Sequence, residues 1–190
     1  MFLPIVAKTF VELGYRRSTT AEIAGRCGVQ ENVLYRIWPN KKAMFLAAIG
    51  FNREVTTTTW RGVVEAAEES QGKKRGGRSA AEMILEHEAG HHGDWGLHRL
   101  AFAGLNEIDD EEILLALQGM YETFVGFIVD VVAKHREAAG LQKKTKGDLE
   151  VLAWGFVGLA TAADIGRDLR LMDGKKRAKL MRELGGVLLK

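Results

Sequence analysis

The chain has 190 residues, of which 46% are hydrophobic and 27% are charged, and its formal net charge is +2. These values are typical of a folded globular protein with a substantial core, and they exclude a disordered, collagen-like or disulfide-rich chain. A single cysteine excludes an intramolecular disulfide, and no apolar run approaches the ~18 residues that a membrane span needs, so we expect a cytoplasmic protein.

The first predicted helix lies near the N-terminus. Val6, Phe10 and Leu13 recur at steps of four and three residues, which is the spacing of one helical face. Gly14 is expected to end this helix, and Tyr15 is expected to fold back onto it. The apolar face would then pack beneath the segment that follows.

Two further short helices are predicted between Thr19 and Trp38. Thr19 and Glu22 have the spacing of a capping box, in which each side chain bonds the backbone N–H of the other residue. Gly28 can adopt the left-handed conformation that ends this helix, and the next helix begins at Gln30. Two helices joined by a tight turn that contains glycine form a helix-turn-helix, whose second helix enters the major groove of DNA.

The remainder of the chain is predicted to be helical throughout. Favourable N-cap residues begin its helices, and no pattern of paired strands occurs. The predicted helices run from Asn40 to about Ser70, from Ser79 to about Gly90, from Asp94 past Leu105, from Asp109 or Asp110 to Ala139, from Asp148 to about Arg170, and from Asp173 to the C-terminus. A basic, glycine-rich loop over residues 72–78 is expected to be a solvated connector or, alternatively, an additional nucleic-acid contact. The expected fold class is all-α.

Residues Leu3 to Ile49 resemble the DNA-binding domain of the tetracycline-repressor (TetR) family of transcriptional regulators. The matching residues are Phe10, Gly14, Tyr15, Thr19, Thr20, Ile23, Ala24, Gly28, Val29, Leu34, Tyr35, Trp38, Lys41 and Ala43. The resemblance implies a three-helix DNA-binding domain over residues 1–49 and a helical effector-binding and dimerisation domain over residues 50–190. It also implies a homodimeric, ligand-responsive repressor on a palindromic operator, with no catalytic residues and no cofactor.

The distribution of charge agrees with a DNA-binding N-terminal part. Residues 1–50 hold seven basic and three acidic side chains, whereas the remaining residues hold 20 basic and 22 acidic ones. A basic segment attached to a slightly acidic body suits a protein that binds DNA with one part and has another task in the rest.

Nine residues are predicted to contact DNA, and they divide by chemistry. Amide, guanidinium and carboxylate side chains can pair with base edges in the major groove, whereas hydroxyls and lysines bind phosphate. The candidates for base recognition are Gln30, Glu31, Asn32 and Arg36, and the candidates for phosphate are Thr19, Thr20, Tyr35, Lys41 and Lys42. Thr19 alternatively serves only as a helix cap. Glu31 needs a partner near phosphates, for which Arg26, Arg36 or a base is available.

The family pattern does not give the operator sequence. Small or basic residues are usual in the family where Gln30, Glu31 and Asn32 stand, and a histidine is frequent at the position of Arg36. These departures leave the predicted class of protein unchanged.

Two further surfaces are predicted in the C-terminal part. Small residues on the penultimate helix allow a second helix to approach closely, and an apolar stripe follows on the last helix. The predicted dimer interface consists of Gly155, Gly158, Leu159, Ala162, Gly166, Leu180, Leu184 and Leu188. An intramolecular core is the alternative for these residues.

A pocket for a small effector of unknown identity is predicted from large side chains. Its candidate residues are Trp60, Met83, Trp95, Phe102, Met120, Tyr121, Phe124 and Trp154. No charged cluster accompanies them, so an apolar or aromatic ligand is expected. The alternative for each residue is that it fills the core.

His87, Glu88 and His91 match the HExxH pattern of zinc hydrolases, in which two histidines bind metal and the glutamate activates water. Gly90 weakens the helix that would align both imidazoles, and no third ligand stands at the expected spacing. A metal-binding protein or metallohydrolase is therefore the alternative function, and the preferred interpretation has no metal site.

Overall fold

The computed structural model describes residues 2–71 and 78–190, which form nine α-helices and no strand, so the predicted all-α class is confirmed. The helices are α1 (Leu3–Arg17), α2 (Thr20–Cys27), α3 (Glu31–Tyr35), α4 (Lys41–Gln71), α5 (Ala80–His91), α6 (His98–Leu105), α7 (Glu111–Ala138), α8 (Lys146–Asp168) and α9 (Gly174–Leu188). The predicted basic loop over residues 72–78 lies outside the described residues except for Arg78.

The chain divides into two compact units, which are described separately. Unit 1 comprises Met1–Thr56 and Trp95–Glu122, and unit 2 comprises Thr57–Asp94 and Thr123–Lys190. Unit 1 therefore holds α6 and the start of α7 in addition to the helix-turn-helix. The two units are defined by packing and not by the binding of DNA or ligand. The predicted functional boundary at residue 49 therefore stays a prediction.

Unit 1 is built around the buried face of α1. Val6 and Phe10 are fully buried there, together with Phe45 of α4. Gly14 has a φ of +74°, and this left-handed residue bends the helix so that the centre of the Tyr15 ring lies 4.8 Å from that of Phe45. The predicted return of Tyr15 onto the first helix is confirmed, because its ring also stacks on Phe10.

The ends of α2 follow from local sequence. The Thr19 hydroxyl accepts a hydrogen bond from the backbone N–H of Glu22 at 3.1 Å, and Gly28 ends the helix with a φ of +69°. Both features were predicted. The second half of the expected capping box was wrong, because the Glu22 carboxylate accepts from Arg26 at 2.7 Å instead of returning to Thr19.

The start of α6 differs from the prediction. The helix begins at His98 rather than at Asp94, since Gly96 takes a φ of +65° and interrupts helical geometry. Leu105 is 50% exposed at the end of this helix, whereas Leu100 is fully buried.

Unit 2 contains two apolar clusters that join its helices. The first consists of Ala81, Val131, Val132 and Leu189, from α5, α7 and the end of α9. The second consists of Ala89, Leu159, Ala163 and Met181, from α5, α8 and α9. The helix α8 begins with a capping box of Thr145 and Asp148, so Asp148 lies inside the first turn rather than before it.

Two helices, α7 and α8, are long and rich in apolar residues. By length and composition, α7 and α8 are long and apolar enough to cross a membrane. The sequence criterion counted uninterrupted apolar runs, whereas a helix with a few charged residues can still have a high mean hydropathy. Core helices of water-soluble proteins have the same composition, so this feature is weak evidence for a membrane.

Candidate nucleic-acid interface

The short helix α3 presents a polar side to solvent. Asn32 and Arg36 are exposed on it, and Gln30 is exposed at its start, whereas Leu34 is fully buried. Within the described part of the chain, Arg36 makes no ion pair with a carboxylate. Ile37 was expected to point inward, but it is 52% exposed because α3 ends at Tyr35.

Glu31 has a partner that the sequence did not indicate. Its carboxylate accepts a hydrogen bond from the Thr20 hydroxyl, and the Tyr35 hydroxyl donates to the same Thr20 oxygen at 3.0 Å. The expected partner Arg26 instead pairs with Glu12 and Glu22. The negative charge of Glu31 is therefore fixed at the junction of α2 and α3, where it orients the Thr20 hydroxyl.

The ends of four helices, α1 to α4, enclose a shallow, open depression, which we name the α2–α4 depression. It is lined by Arg16, Ser18, Thr19, Thr20, Tyr35, Pro39, Asn40 and Lys41. Four of the five predicted phosphate-binding residues thus lie together, although they come from separate parts of the sequence. Hydroxyl, guanidinium and ammonium donors on one open surface are the groups that bind DNA phosphates. Sequence reasoning missed Arg16, whose only signal was its basic character.

The two predicted lysines have different surroundings. The Lys41 ammonium donates to the Tyr15 carbonyl at 3.1 Å and stands 4.5 Å from the centre of the Tyr15 ring, at the edge of the depression. The Lys42 ammonium lies 3.0 Å from Asp110 and also contacts Glu112. These carboxylates raise the pKa of Lys42 by hydrogen bonding. Because two carboxylates already bind it, we leave Lys42 out of the interface proposed below.

The predicted pocket residues fall into three environments. Trp60 is buried in unit 2, where its ring lies 5.4 Å from that of Phe124, and Met120 is buried in unit 1. Trp95 and Trp154 do not fill a core, since they are 82% and 53% exposed. The remaining candidates are half-buried: Met83, Phe102 and Tyr121. The pocket stays a prediction.

The predicted dimer-interface residues differ in their exposure to solvent. Leu159 and Gly166 are buried within unit 2, so they do not lie on an open surface. Gly155 and Leu180 are half-buried, as is Leu188, which packs against Gly155. The exposed members are Gly158, Ala162 and Leu184. Sequence reasoning missed three larger exposed side chains beside them: Val151, Ile165 and Leu169.

The zinc-hydrolase pattern does not have the geometry that it needs. The rings of His87 and His91 are 5.0 Å apart, but Glu88 turns away from them and bonds Nδ1 of His92 at 2.8 Å. No group of three metal-binding side chains occurs among residues 2–71 and 78–190.

His92 forms the centre of a buried charge network. Its Nε2 lies 3.1 Å from Asp164, an ion-pair contact without hydrogen-bond alignment, and Trp60 donates to the other oxygen of Glu88 at 2.8 Å. Burial opposes the charge, but the two carboxylates outweigh it and raise the pKa of His92 to about 10. The same contacts lower the pKa of Glu88 against its burial. We infer an imidazolium that holds α4, α5 and α8 together.

The chain is similar to known proteins in the sequence of its N-terminal part and in its fold. Residues 7–48 match the model of bacterial regulatory proteins of the tetR family. No curated protein matches the chain by sequence. Over nearly its whole length the chain is similar in fold to solved structures of low sequence identity.

Three of these structures are regulators. A TetR-family transcriptional regulator from Agrobacterium tumefaciens has a TM-score of 0.75 at 13% identity, covering 98% of this chain and 94% of that one. The transcriptional regulator FadR from Bacillus subtilis, in complex with stearoyl-CoA, has 0.69 at 15%, covering 100% and 96%. A TetR-like regulator from Rhodococcus sp. RHA1 has 0.64 at 16%, covering 97% and 91%.

Proposed function

We propose, on the premise that this chain belongs to the tetR family of bacterial regulatory proteins, that it is a ligand-responsive repressor which binds a palindromic operator as a homodimer in the cytoplasm. The family model that residues 7–48 match is one of regulatory proteins, which supports this proposal. The observation that carries the proposal is the exposed polar side of α3 next to the α2–α4 depression.

The α2–α4 depression and the exposed side of α3 have separate tasks in DNA binding. Thr20, Tyr35 and Lys41 would bind phosphates, which positions α3 but carries no sequence information. Asn32 and Arg36 would reach base edges in the major groove, where Asn pairs with adenine and Arg with guanine. The Thr20 hydroxyl now donates its one proton to Glu31, and the Tyr35 hydroxyl donates to Thr20, so both would exchange these acceptors for phosphate oxygens when DNA binds.

An apolar stripe along α8 supports association with a second copy. Val151, Trp154, Ile165 and Leu169 are 72%, 53%, 46% and 63% exposed, and their spacing places them on one helical face. Leu184 and Val187 of α9 are also more than half exposed. A contiguous apolar surface of this kind marks an interface, and a two-fold dimer would present two copies of α3 to a palindrome.

A small-molecule effector completes the proposal. Trp60 and Phe124, two of the predicted pocket residues, lie in unit 2, and their aromatic character is the reason to expect an apolar or aromatic ligand. The related fold of FadR is solved with stearoyl-CoA, and we therefore include acyl chains among the ligands to be tested. Such a ligand releases DNA only if it prefers one arrangement of the dimer over another.

Selection of bound duplexes from a random library tests the proposal directly. We expect enrichment of a sequence with two inverted half-sites, and we expect light scattering to show two protein chains per duplex. In the Arg36→Ala variant, one base-pair preference in each half-site should be lost, whereas Lys41→Ala should weaken binding to every sequence. No enriched sequence with the wild-type protein would contradict the proposal.

A further inference from the structure

Arg16 lies on the α2–α4 depression but is held by a turn that belongs to another part of the sequence. Its Nε donates to Glu107 at 2.6 Å, and its terminal nitrogen lies 3.4 Å from the Asn106 carbonyl. Both partners stand between α6 and α7, in the same unit as α1. The guanidinium thus borders the proposed phosphate site while its charge is already paired.

The turn that binds Arg16 is strongly acidic. The sequence from Glu107 to Glu112 contains five carboxylates in six residues. Asp109 adds to the field at Arg16, and Asp110 with Glu112 binds Lys42. The acidic turn therefore sets carboxylates beside two cations of the DNA-binding part.

The exposure of the partners shows which one is free to move. The Arg16 side chain is 77% exposed, whereas Glu107 is only 16% exposed and therefore fixed in its surroundings. An ion pair with so exposed a cation is weak, and a DNA phosphate is a comparable acceptor for the same guanidinium. Lys42 differs, since it is 29% exposed and does not line the depression.

We propose that Arg16 is a latent phosphate-binding residue, and that Glu107 competes with DNA for it and so lowers affinity for all duplexes. This inference rests on the proposed DNA-binding function and adds an intramolecular competitor to it. Release of Arg16 from the acidic turn gives one additional phosphate contact, which carries no sequence information.

The matched pair Glu107→Gln and Glu112→Gln separates this competition from a general change in charge. Both variants remove one negative charge from the same turn, but only the first releases Arg16, because Lys42 keeps Asp110 as its partner in the second. The probe is a fluorescein-labelled, mixed-sequence duplex of about 30 base pairs, roughly three helical turns. Its binding is measured by anisotropy at several salt concentrations.

We expect Glu107→Gln to bind more tightly and to steepen the slope of log affinity against log salt by about 0.9. This is an additional loss of about 3.5-fold between about 50 and 200 mM salt. The slope of Glu112→Gln should equal that of the wild type. In the double variant Arg16→Gln/Glu107→Gln, the gain should disappear.

Two results would overturn the inference. One is an equal slope for Glu107→Gln and Glu112→Gln, and the other is a gain that survives in the double variant. Circular dichroism of each variant confirms that it is folded, and the double variant shares any structural defect of Glu107→Gln. If the wild-type protein shows no salt-dependent binding to duplex DNA, the proposed function itself fails.

Discussion

Replacement of His92 by glutamine is expected to destabilise the protein strongly at neutral pH and more weakly at high pH. The imidazolium stands between Glu88 and Asp164, whose side chains are only 19% and 6% exposed. Its removal takes away the imidazolium that contacts both of these nearly buried carboxylates. Breaking a buried pair in this way costs about 3–5 kcal/mol.

The pH dependence follows from the raised pKa of His92. Since the folded-state pKa is about 10 and the unfolded value is 6.5, the network stabilises the fold fully below pH 6.5 and loses this effect as the pH rises toward 10. Between the two values the folded state binds one more proton, so the free energy of unfolding falls by up to about 1.4 kcal/mol per pH unit. With allowance for the fifth of the side chain that solvent screens, the total is on the order of 4 kcal/mol.

Urea unfolding at pH 7.5, 8.5 and 9.5, followed by circular dichroism, measures this effect. The stability difference between the wild type and His92→Gln should narrow steadily over the series. The control is His91→Gln, because His91 is 67% exposed and lies 3.5 Å from an exposed Asp94. We expect the control to stay within about 0.5 kcal/mol of the wild type. A constant difference across the series would refute the reasoning about the charged imidazole.

Two further predictions concern unit 2. A Cβ at Gly185 would overlap Leu85, whereas a Cβ at Gly186 meets nothing within 4 Å. We therefore expect Gly185→Ala to lower the free energy of unfolding by about 1–3 kcal/mol. Gly186→Ala should raise it by about 0.5–1 kcal/mol, and urea unfolding measures both changes. Equal effects of the two changes would show that α9 does not pack on α5 in this way. Val151→Glu places a charge on a side chain that is 72% exposed, so it should leave the far-ultraviolet spectrum unchanged and convert the dimer to a monomer in sedimentation velocity. A dimer that persists would place the interface elsewhere.

Local signals in the sequence were sufficient for much of the fold. The cap at Thr19, the left-handed Gly28 and the return of Tyr15 depend on neighbours a few residues away, and each was predicted. The cap of α9 by Asp173 was predicted in the same way. These features could be deduced because helix ends are decided by the residues within one turn.

The partners of charged side chains could not be predicted, because they come from distant parts of the chain. Thr20 and Glu31 are eleven residues apart, whereas Arg16 and Glu107 are separated by 91. Glu88 and His92 are an exception, since a spacing of four residues can indicate their pairing, but the second carboxylate at His92 is Asp164 of α8. The distant pairings depend on tertiary structure that composition and spacing do not specify.

The central claim is that the exposed side of α3 enters the major groove, and base substitution tests it most directly. In the selected duplex, each guanine is replaced in turn by 7-deazaguanine, which lacks the N7 acceptor of the major groove. We predict that one such replacement per half-site weakens wild-type binding by about 5- to 150-fold, equivalent to about 1–3 kcal/mol, and leaves Arg36→Ala unaffected. Equal losses in both proteins, or no loss at any guanine, would contradict the assignment of Arg36 to the groove.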